Sequence, residues 1–255
     1  MSRHAPLCQG VRNLVASGAI GRIVSFEATE PLGPDHGGYI MRNWRRFRRW
    51  TGPHLLEKCS HDIDLLHWIV GSVPSRVASF AGLDIFVPAN KPAADGLSRP
   101  DDNPPLYRSW PAWEDIDPFM ADKDTEDNQV AILEFRNGVR GTFATNCCSA
   151  YPQRRLMLFG VEGTIEADLA AASVRWRRIG RKTEDHRMDL TGVDGHGGAD
   201  HLIVDDLAQC IATGKEPDVT GEEGFVSAVT CLAIDEAYRT GAVVDVEPYW
   251  KRFGV

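Results

Sequence analysis

Residues 129–146, QVAILEFRNGVRGTFATN, constrain the fold more than any other stretch of the chain. Two runs of alternating apolar and polar residues flank Asn137-Gly138. A period of two gives a strand one apolar face, and Asn-Gly is the dipeptide of the type I′ hairpin turn. An antiparallel pair is therefore expected. RRLMLFGVEGTIEADL (154–169) repeats the pattern around Gly160–Gly163. IVSFEAT (23–29), SRVASFAGLDIF (75–86), SVRWRRI (173–179), HRMDL (186–190) and AVVDV (242–246) add further strands.

Helical spacing lies at the two ends of the chain. APLCQGVRNLVAS (5–17) runs to a stop at Gly18, and PHLLEKCSHDIDLLHWIVG (53–71) to one at Gly71. Towards the C-terminus, ADHLIVDDLAQCIATG (199–214) and FVSAVTCLAIDEAYRTG (225–241) are also helical, with Thr220 and Glu223 placed as a capping box. This order predicts an α+β fold: a large, mostly antiparallel or mixed β-sheet with helices on one face. Residues 31–53 carry no periodicity. The stretch 87–124 holds Pro88, Pro92, Pro100, Pro104, Pro105, Pro111 and Pro118, and is expected to be an excursion from one domain.

A formal net charge of −8 argues against nucleic acid or an anionic membrane as a partner. No apolar run approaches the ~18–20 residues of a membrane span, and MSRHAPLCQG has no secretory core, so a cytoplasmic location is expected. The six cysteines form no C-x-x-C pair and no disulfide framework is expected. The sequence has neither a G-x-G-x-x-G nor a G-x-x-x-x-G-K-[ST] motif.

The helix 53–71 carries the chemistry. Leu56, Cys59, Ile63, Leu66 and Val70 form a buried stripe, while Glu57, His61 and Asp64 align at i, i+4 and i+7 along a second face. Lys58 and Asp62 make an i,i+4 pair beside it. A carboxylate one turn from a histidine can orient the imidazole for proton transfer. A solvated face with a satisfied histidine fits the same spacing. His61 and His67 sit roughly 240° apart on the helical wheel, so no metal site is expected.

Two further segments hold candidate contacts. RNWRRFRR (42–49) is either a solvated basic loop or an anion clamp for phosphate or carboxylate. In GHGGADH (195–201) the glycines let backbone approach a ligand, with His196 and Asp200 supplying polar reach; a loop ending in an Asp200 cap is the alternative.

GPHLLEKCSHDIDLLHWIVG resembles the substrate-domain motif of the Gfo/Idh/MocA family of nicotinamide-dependent oxidoreductases. In that family a glycine-rich turn precedes an acid, three residues and a histidine, then D-[IF]-D-L and W-x-x-G. SRHAPL followed by LVASGAIGRIVSFEA resembles the family's exit from its cofactor domain, and the two hairpins and GHGGAD resemble later segments in the same order. The resemblance implies the family's C-terminal, dihydrodipicolinate-reductase-like fold. Residues 1–20 would be a remnant of the cofactor-domain exit and 21–255 a substrate-binding and oligomerisation domain, with the Rossmann domain missing.

The resemblance also implies roles. His61 would be the general acid/base for a secondary alcohol of a sugar or polyol, and Glu57 would support it. Lys58 is a candidate for the lysine that the family keeps in its cofactor domain. Tyr39, Trp44, His196 and Asp200 would contact substrate, and Trp44 and Arg45 the cofactor, NAD or NADP. A Rossmann domain would act in trans, and the sheet face would form a homo-oligomer. Two alternatives are a non-catalytic oligomerisation or sugar-binding module and an NAD-dependent glycosidase.

Overall fold

Among the described residues, nine strands form one mixed sheet, and the alternation of their residues decides which face is covered. The computed structural model describes residues 2–97, 106–107, 116–180, 186–189 and 195–255. After a short 3-10 turn at Ser2–His4 come α1 (Pro6–Ala16), β1 (Ile23–Pro31), α2 (Pro34–Arg42), α3 (Arg48–Thr51) and α4 (His54–Val70). β2 (Pro74–Gly82) and α5 (Lys91–Asp95) precede β3 (Asn128–Phe135), β4 (Arg140–Asn146), β5 (Arg155–Gly160), β6 (Gly163–Asp168), β7 (Ser173–Arg178) and β8 (His186–Asp189). The chain closes with α6 (Gly195–Thr213), α7 (Gly221–Thr240), β9 (Val244–Asp245) and α8 (Glu247–Phe253).

The strand order is β8-β7-β6-β5-β1-β4-β3-β2-β9. β1 runs parallel to β4, and the other neighbours pair antiparallel. Gln129, Ala131, Leu133 and Phe135 of β3 point to the helical side and are buried. Val130 and Ile132, one residue out of phase, are about half exposed on the opposite face beside Phe80. α1, α4 and α7 share one core with the helical side, through Leu7, Val11, Ile63, Leu66 and Ile234. Gly71, left-handed at φ 68, ends α4 and returns its N–H to the His67 carbonyl at 2.8 Å.

The structure corrects several expectations. The 135–140 turn is not type I′, because only Gly138 has positive φ (83°). The Gly138 N–H bonds the Phe135 carbonyl at 2.9 Å and the Phe135 N–H bonds Val139 at 2.8 Å, a type I turn closed by a left-handed glycine bulge. Residues 31–53, expected to be irregular, hold α2 and α3. β2 stops at Gly82 rather than running to 86, because Asp127 accepts the N–H groups of Asp84, Ile85 and Phe86 at 2.8–3.0 Å. These bonds turn the chain into the proline-rich excursion, whose described part packs Phe86, Ala94 and Phe119 against Ile40, Met41 and Cys147. The expected capping box is present at Thr220 and Glu223, and it starts α7 at Gly221, one turn earlier than its apolar run. α8 was not anticipated; its Trp250 is fully buried and donates to the Pro74 carbonyl at 2.6 Å.

His67 joins α4 to α7 through Thr230 Oγ1 at 3.2 Å, and burial pulls its basicity down to about 3. An unfolded imidazole takes up its proton near 6.5, so below that pH the unfolded chain binds the extra proton and stability falls. Denaturant unfolding between pH 6 and 4 should therefore fall less steeply in His67→Gln than in the wild type, by up to about 1.4 kcal/mol per pH unit. Parallel curves for the two proteins would contradict this.

Candidate functional site

The site begins with one strand residue of unexpected polarity. Phe26, Ala28 and Glu30 lie on the same, helix-covered face of β1, so a carboxylate occupies a core position. α4 crosses above it and supplies the cations and acids that make this tolerable. Lys58 Nζ lies 2.8 Å from Glu30 Oε1. One helical turn on, Asp62 receives Arg154, the residue just before β5, through Nε at 2.5 Å and Nη2 at 2.9 Å. Arg154 Nη2 also lies 3.6 Å from Glu30 Oε1. His61 Nε2 is 3.3 Å from Asp62 Oδ2 and 3.9 Å from Glu30 Oε1.

Two carboxylates thus face two cations around one imidazole. Burial opposes ionisation of Glu30, but His61, Arg154 and Lys58 outweigh it and hold its carboxyl well below the usual range. Burial and the charge of Glu30 push Asp62 upward, against the pull of Arg154. Asp62 is thus the more easily protonated of the two, and it is the carboxylate nearest His61. Glu30, His61 and Asp62 are also close enough together to hold a metal ion. A divalent cation would add two positive charges where each carboxylate already has its own cation, so the donor set does not fit one.

Several site expectations need redrawing. Glu57 does not support His61: its Oε1 accepts from Arg45 Nε at 2.6 Å. Arg45 in turn donates to Tyr39 Oη at 2.9 Å and stacks on Trp44, 4.4 Å from the ring centre. Glu57, Arg45, Tyr39 and Trp44 are therefore brought together, one helical turn from His61. Lys58 and Asp62 do not pair with each other, since the sheet side offers Glu30 and Arg154 at shorter reach. Asp64, aligned with His61 on the wheel, belongs instead to Arg3 at 2.7–2.8 Å.

The arginines of 42–49 do not converge on an anion site. Arg48 is paired with Glu126 and, at 2.6 Å, with Asp235. Arg46 donates to the carbonyls of Arg42, Asn43 and Asp122 at 3.0–3.3 Å. Arg49 lies over the rings of Phe47 and Trp50. Their forks stitch α2 and α3 to the rest of the fold.

A cavity of about 530 Å³ adjoins this cluster. Glu30, Arg154, His36, Gln153 and His196 are among its lining residues. His61, Glu57, Lys58, Tyr39 and Trp44 are not, so Glu30 and Arg154 are the wall shared by cavity and cluster. Burial and the Lys58 charge pull His36 down to about 4, so it is neutral at pH 7. Across the cavity, His196, Gly197 and Gly198 are three successive left-handed residues at the start of α6. His196 Nδ1 meets Asp200 at 2.9 Å and 3.0 Å, so these two are brought together, with His196 on the cavity wall. A left-handed histidine is strained, a conformation common where a side chain must be aimed.

The described residues do not fit a dinucleotide pyrophosphate. β1 enters α2 through Gly33, but the glycines that follow serve packing. A side chain at Gly37 would meet the Cys147 carbonyl at 1.7 Å, and one at Gly38 the Tyr107 carbonyl at 2.3 Å. Asp35 adds a negative charge to the first turn of that helix.

Sequence inspection missed Glu30, Arg154 and His36. Glu30 was detectable: it continues the inward phase of Phe26 and Ala28 where an apolar residue is expected. Arg154 and His36 carry no such mark. The ion network supports a direct stability test. Arg154→Met should lower unfolding free energy by about 3–5 kcal/mol, by leaving buried carboxylates short of a cation. Adding Asp62→Leu should recover part of that loss in urea titrations, and a single variant as stable as the wild type would refute the network's weight.

The family model for the oxidoreductase family's C-terminal alpha/beta domain, Gfo/Idh/MocA, matches residues 12–246. YteT of Bacillus subtilis, named as an oxidoreductase, is 22% identical over 84% of this chain and 59% of its own length. A levoglucosan dehydrogenase in complex with NADH and levoglucosan is similar in structure, with TM-score 0.75, 19% identity and coverage of 96% of this chain and 64% of the other. An oxidoreductase domain protein from Kribbella flavida has TM-score 0.74 and 17% identity, covering 96% and 64%. The chain thus spans about three-fifths of the length of these relatives.

Proposed function

Because the chain belongs to the Gfo/Idh/MocA oxidoreductase family, we propose that it is the substrate-binding, proton-handling part of an oxidoreductase acting on a sugar or polyol. The observation that supports this most is the charge-balanced cluster that places His61 3.3 Å from Asp62, next to a cavity of about 530 Å³. That volume suits a small polyhydroxylated molecule. The levoglucosan complex of a structural relative supports a sugar as ligand.

In this reading His61 takes the proton of the hydroxyl that is oxidised. Asp62 and Glu30 stabilise the imidazolium that results, and Lys58 and Arg154 keep those carboxylates in place. The Tyr39–Arg45–Glu57 chain fixes the flank of the site, with Trp44 as an apolar platform. His196, oriented by Asp200, approaches the substrate from the far wall. The oxidant, NAD or NADP, is supplied from outside the described residues; this chain contributes the substrate pocket and the proton acceptor.

The chain should be assayed alone and with a supplied nicotinamide-binding domain, against a panel of neutral sugars and polyols. Polyol-dependent NAD(P)H formation is expected with that domain, and His61→Ala should lower kcat about 10²–10⁴-fold. Failure of every polyol to bind or react would sink the proposal.

The uncovered sheet face completes the reading. Phe80, Val130 and Ile132 are exposed and adjacent in register, an apolar patch suited to a second copy of the chain. Phe80→Glu with Ile132→Glu should shift the species seen by light scattering to a smaller mass, whereas an unchanged mass would count against this face.

A further inference from the structure

Outside the cavity, three side chains with metal-ligating groups meet from separate parts of the chain. His4 ends the first 3-10 turn, Asp206 lies on α6, and Asp218 lies between α6 and α7. A ring nitrogen and two carboxylate oxygens from these residues fall within 4.8 Å of one another. Asp206 is only 11% exposed, and its Oδ2 accepts the Asp218 N–H at 3.1 Å, which fixes how that carboxylate is turned. Cys210, one turn along α6, has its Sγ 4.0 Å from Asp206 Oδ1. A cation is already drawn to this point: Lys215 Nζ lies 2.6 Å from Asp218 Oδ1 and 3.4 Å from Asp206 Oδ1. One ammonium answers only one of the two negative charges.

We propose that His4, Asp206 and Asp218 bind a divalent cation of the zinc type, displacing Lys215 to solvent, with Cys210 as the nearest further donor. The donor set selects the metal, because imidazole suits zinc and its neighbours whereas calcium and magnesium take oxygen ligands. Ligands about 2.0–2.2 Å from a tetrahedral ion stand about 3.3–3.6 Å apart, so an inward shift of about 1 Å or less closes the site. The contrast with Glu30, His61 and Asp62 is one of charge. There each carboxylate has its own cation, with Lys58 and Arg154 at most 20% exposed. Here two carboxylates share one lysine that is 48% exposed, and an exposed pair of that kind is cheaply broken. The ion would join the N-terminal turn to α6 and to the segment that follows it. α6 has the least packing to hold it, since Val204, Leu207 and Ile211 are all more than half exposed. Its first residues, His196 and Gly197, wall the cavity, so a clasp at His4 would steady that wall whatever molecule the cavity takes.

Calorimetric titration of the chelator-treated chain with zinc chloride tests the site. One equivalent should bind with a Kd on the order of 10 μM or below. His4→Ala should weaken it at least about 100-fold, since even the outer partners of metal ligands are worth about 10- to 100-fold. Lys215→Ala removes the competing ammonium and should tighten binding, while His201→Ala, a histidine elsewhere on α6, should leave it unchanged. Saturating zinc should raise the Tm of the wild type and not that of His4→Ala, and should slow amide hydrogen exchange across residues 199–213. Asp206→Asn should act as His4→Ala does; if loss of that half-buried carboxylate unfolds the chain, the His4 and Lys215 variants at the surface still decide. No uptake of zinc up to about 1 mM, or equal binding in the wild type and His4→Ala, would overturn the site. Binding at His4 with exchange in α6 unaltered would overturn the clasp. None of these readouts involves a polyol, so the outcome is separate from that of the proposed activity.

Discussion

The pairing of Glu30 and Asp62 with Lys58 and Arg154 is the interaction on which the rest of the site depends. It ties β1, α4 and the segment before β5 at one point, with each of the four side chains at most 20% exposed. Removing such charges from water is expensive, and well-packed apolar residues would hold these elements together at least as well. Its persistence in the core makes sense if its product is geometry rather than stability. It sets an imidazole beside a carboxylate whose proton affinity is raised, with a second carboxylate held ionised on the other flank. The two states have different origins: burial and the charge of Glu30 raise Asp62, whereas His61, Arg154 and Lys58 keep Glu30 ionised.

The same economy governs the basic segment before α4. Five arginines in eight residues look like an anion site when read along the chain. Folded, Arg45, Arg46 and Arg48 turn inward to Glu57, backbone carbonyls, Glu126 and Asp235. The result is a rigid, electrically quiet wall. Its tryptophans, Trp44 and Trp50, are left to face outward. A neutral, hydroxyl-rich molecule suits such surroundings better than an anion, whose charge would have to compete for guanidinium groups already in use.

Much of the fold was legible because it rests on local periodicity. The hairpins at 129–146 and 154–169, the Gly71 stop and the Thr220–Glu223 cap all depend on neighbours within a few residues. The errors share a different origin. The helical wheel placed Glu57 beside His61 and Lys58 beside Asp62, and both spacings are real, but residues far along the chain offered better partners. Arg45, Glu30 and Arg154 come from three other segments, and no periodicity within α4 announces them. The end of β2 was misjudged for the same reason, since Asp127 sets it from more than forty residues away. The turn at Gly138 shows the finer limit: the dipeptide marks a hairpin, but strand register selects the turn.

β1 lies inside the sheet, yet both of its neighbours are made late in the chain. Ser25 pairs with Arg140 on one side and with Phe159 on the other. Glu30 cannot be matched by Arg154 until this seam closes. The interior of the sheet therefore has long loops to close, and such topologies fold slowly because loop closure costs entropy before contacts return it. Until then β1 would present two unpaired edges, with Phe26 and Ala28 exposed on one side. A nascent or freshly diluted chain should thus pass through a stage in which β2, β3 and β4 are paired while β1 still waits, and that stage is where aggregation has its opening.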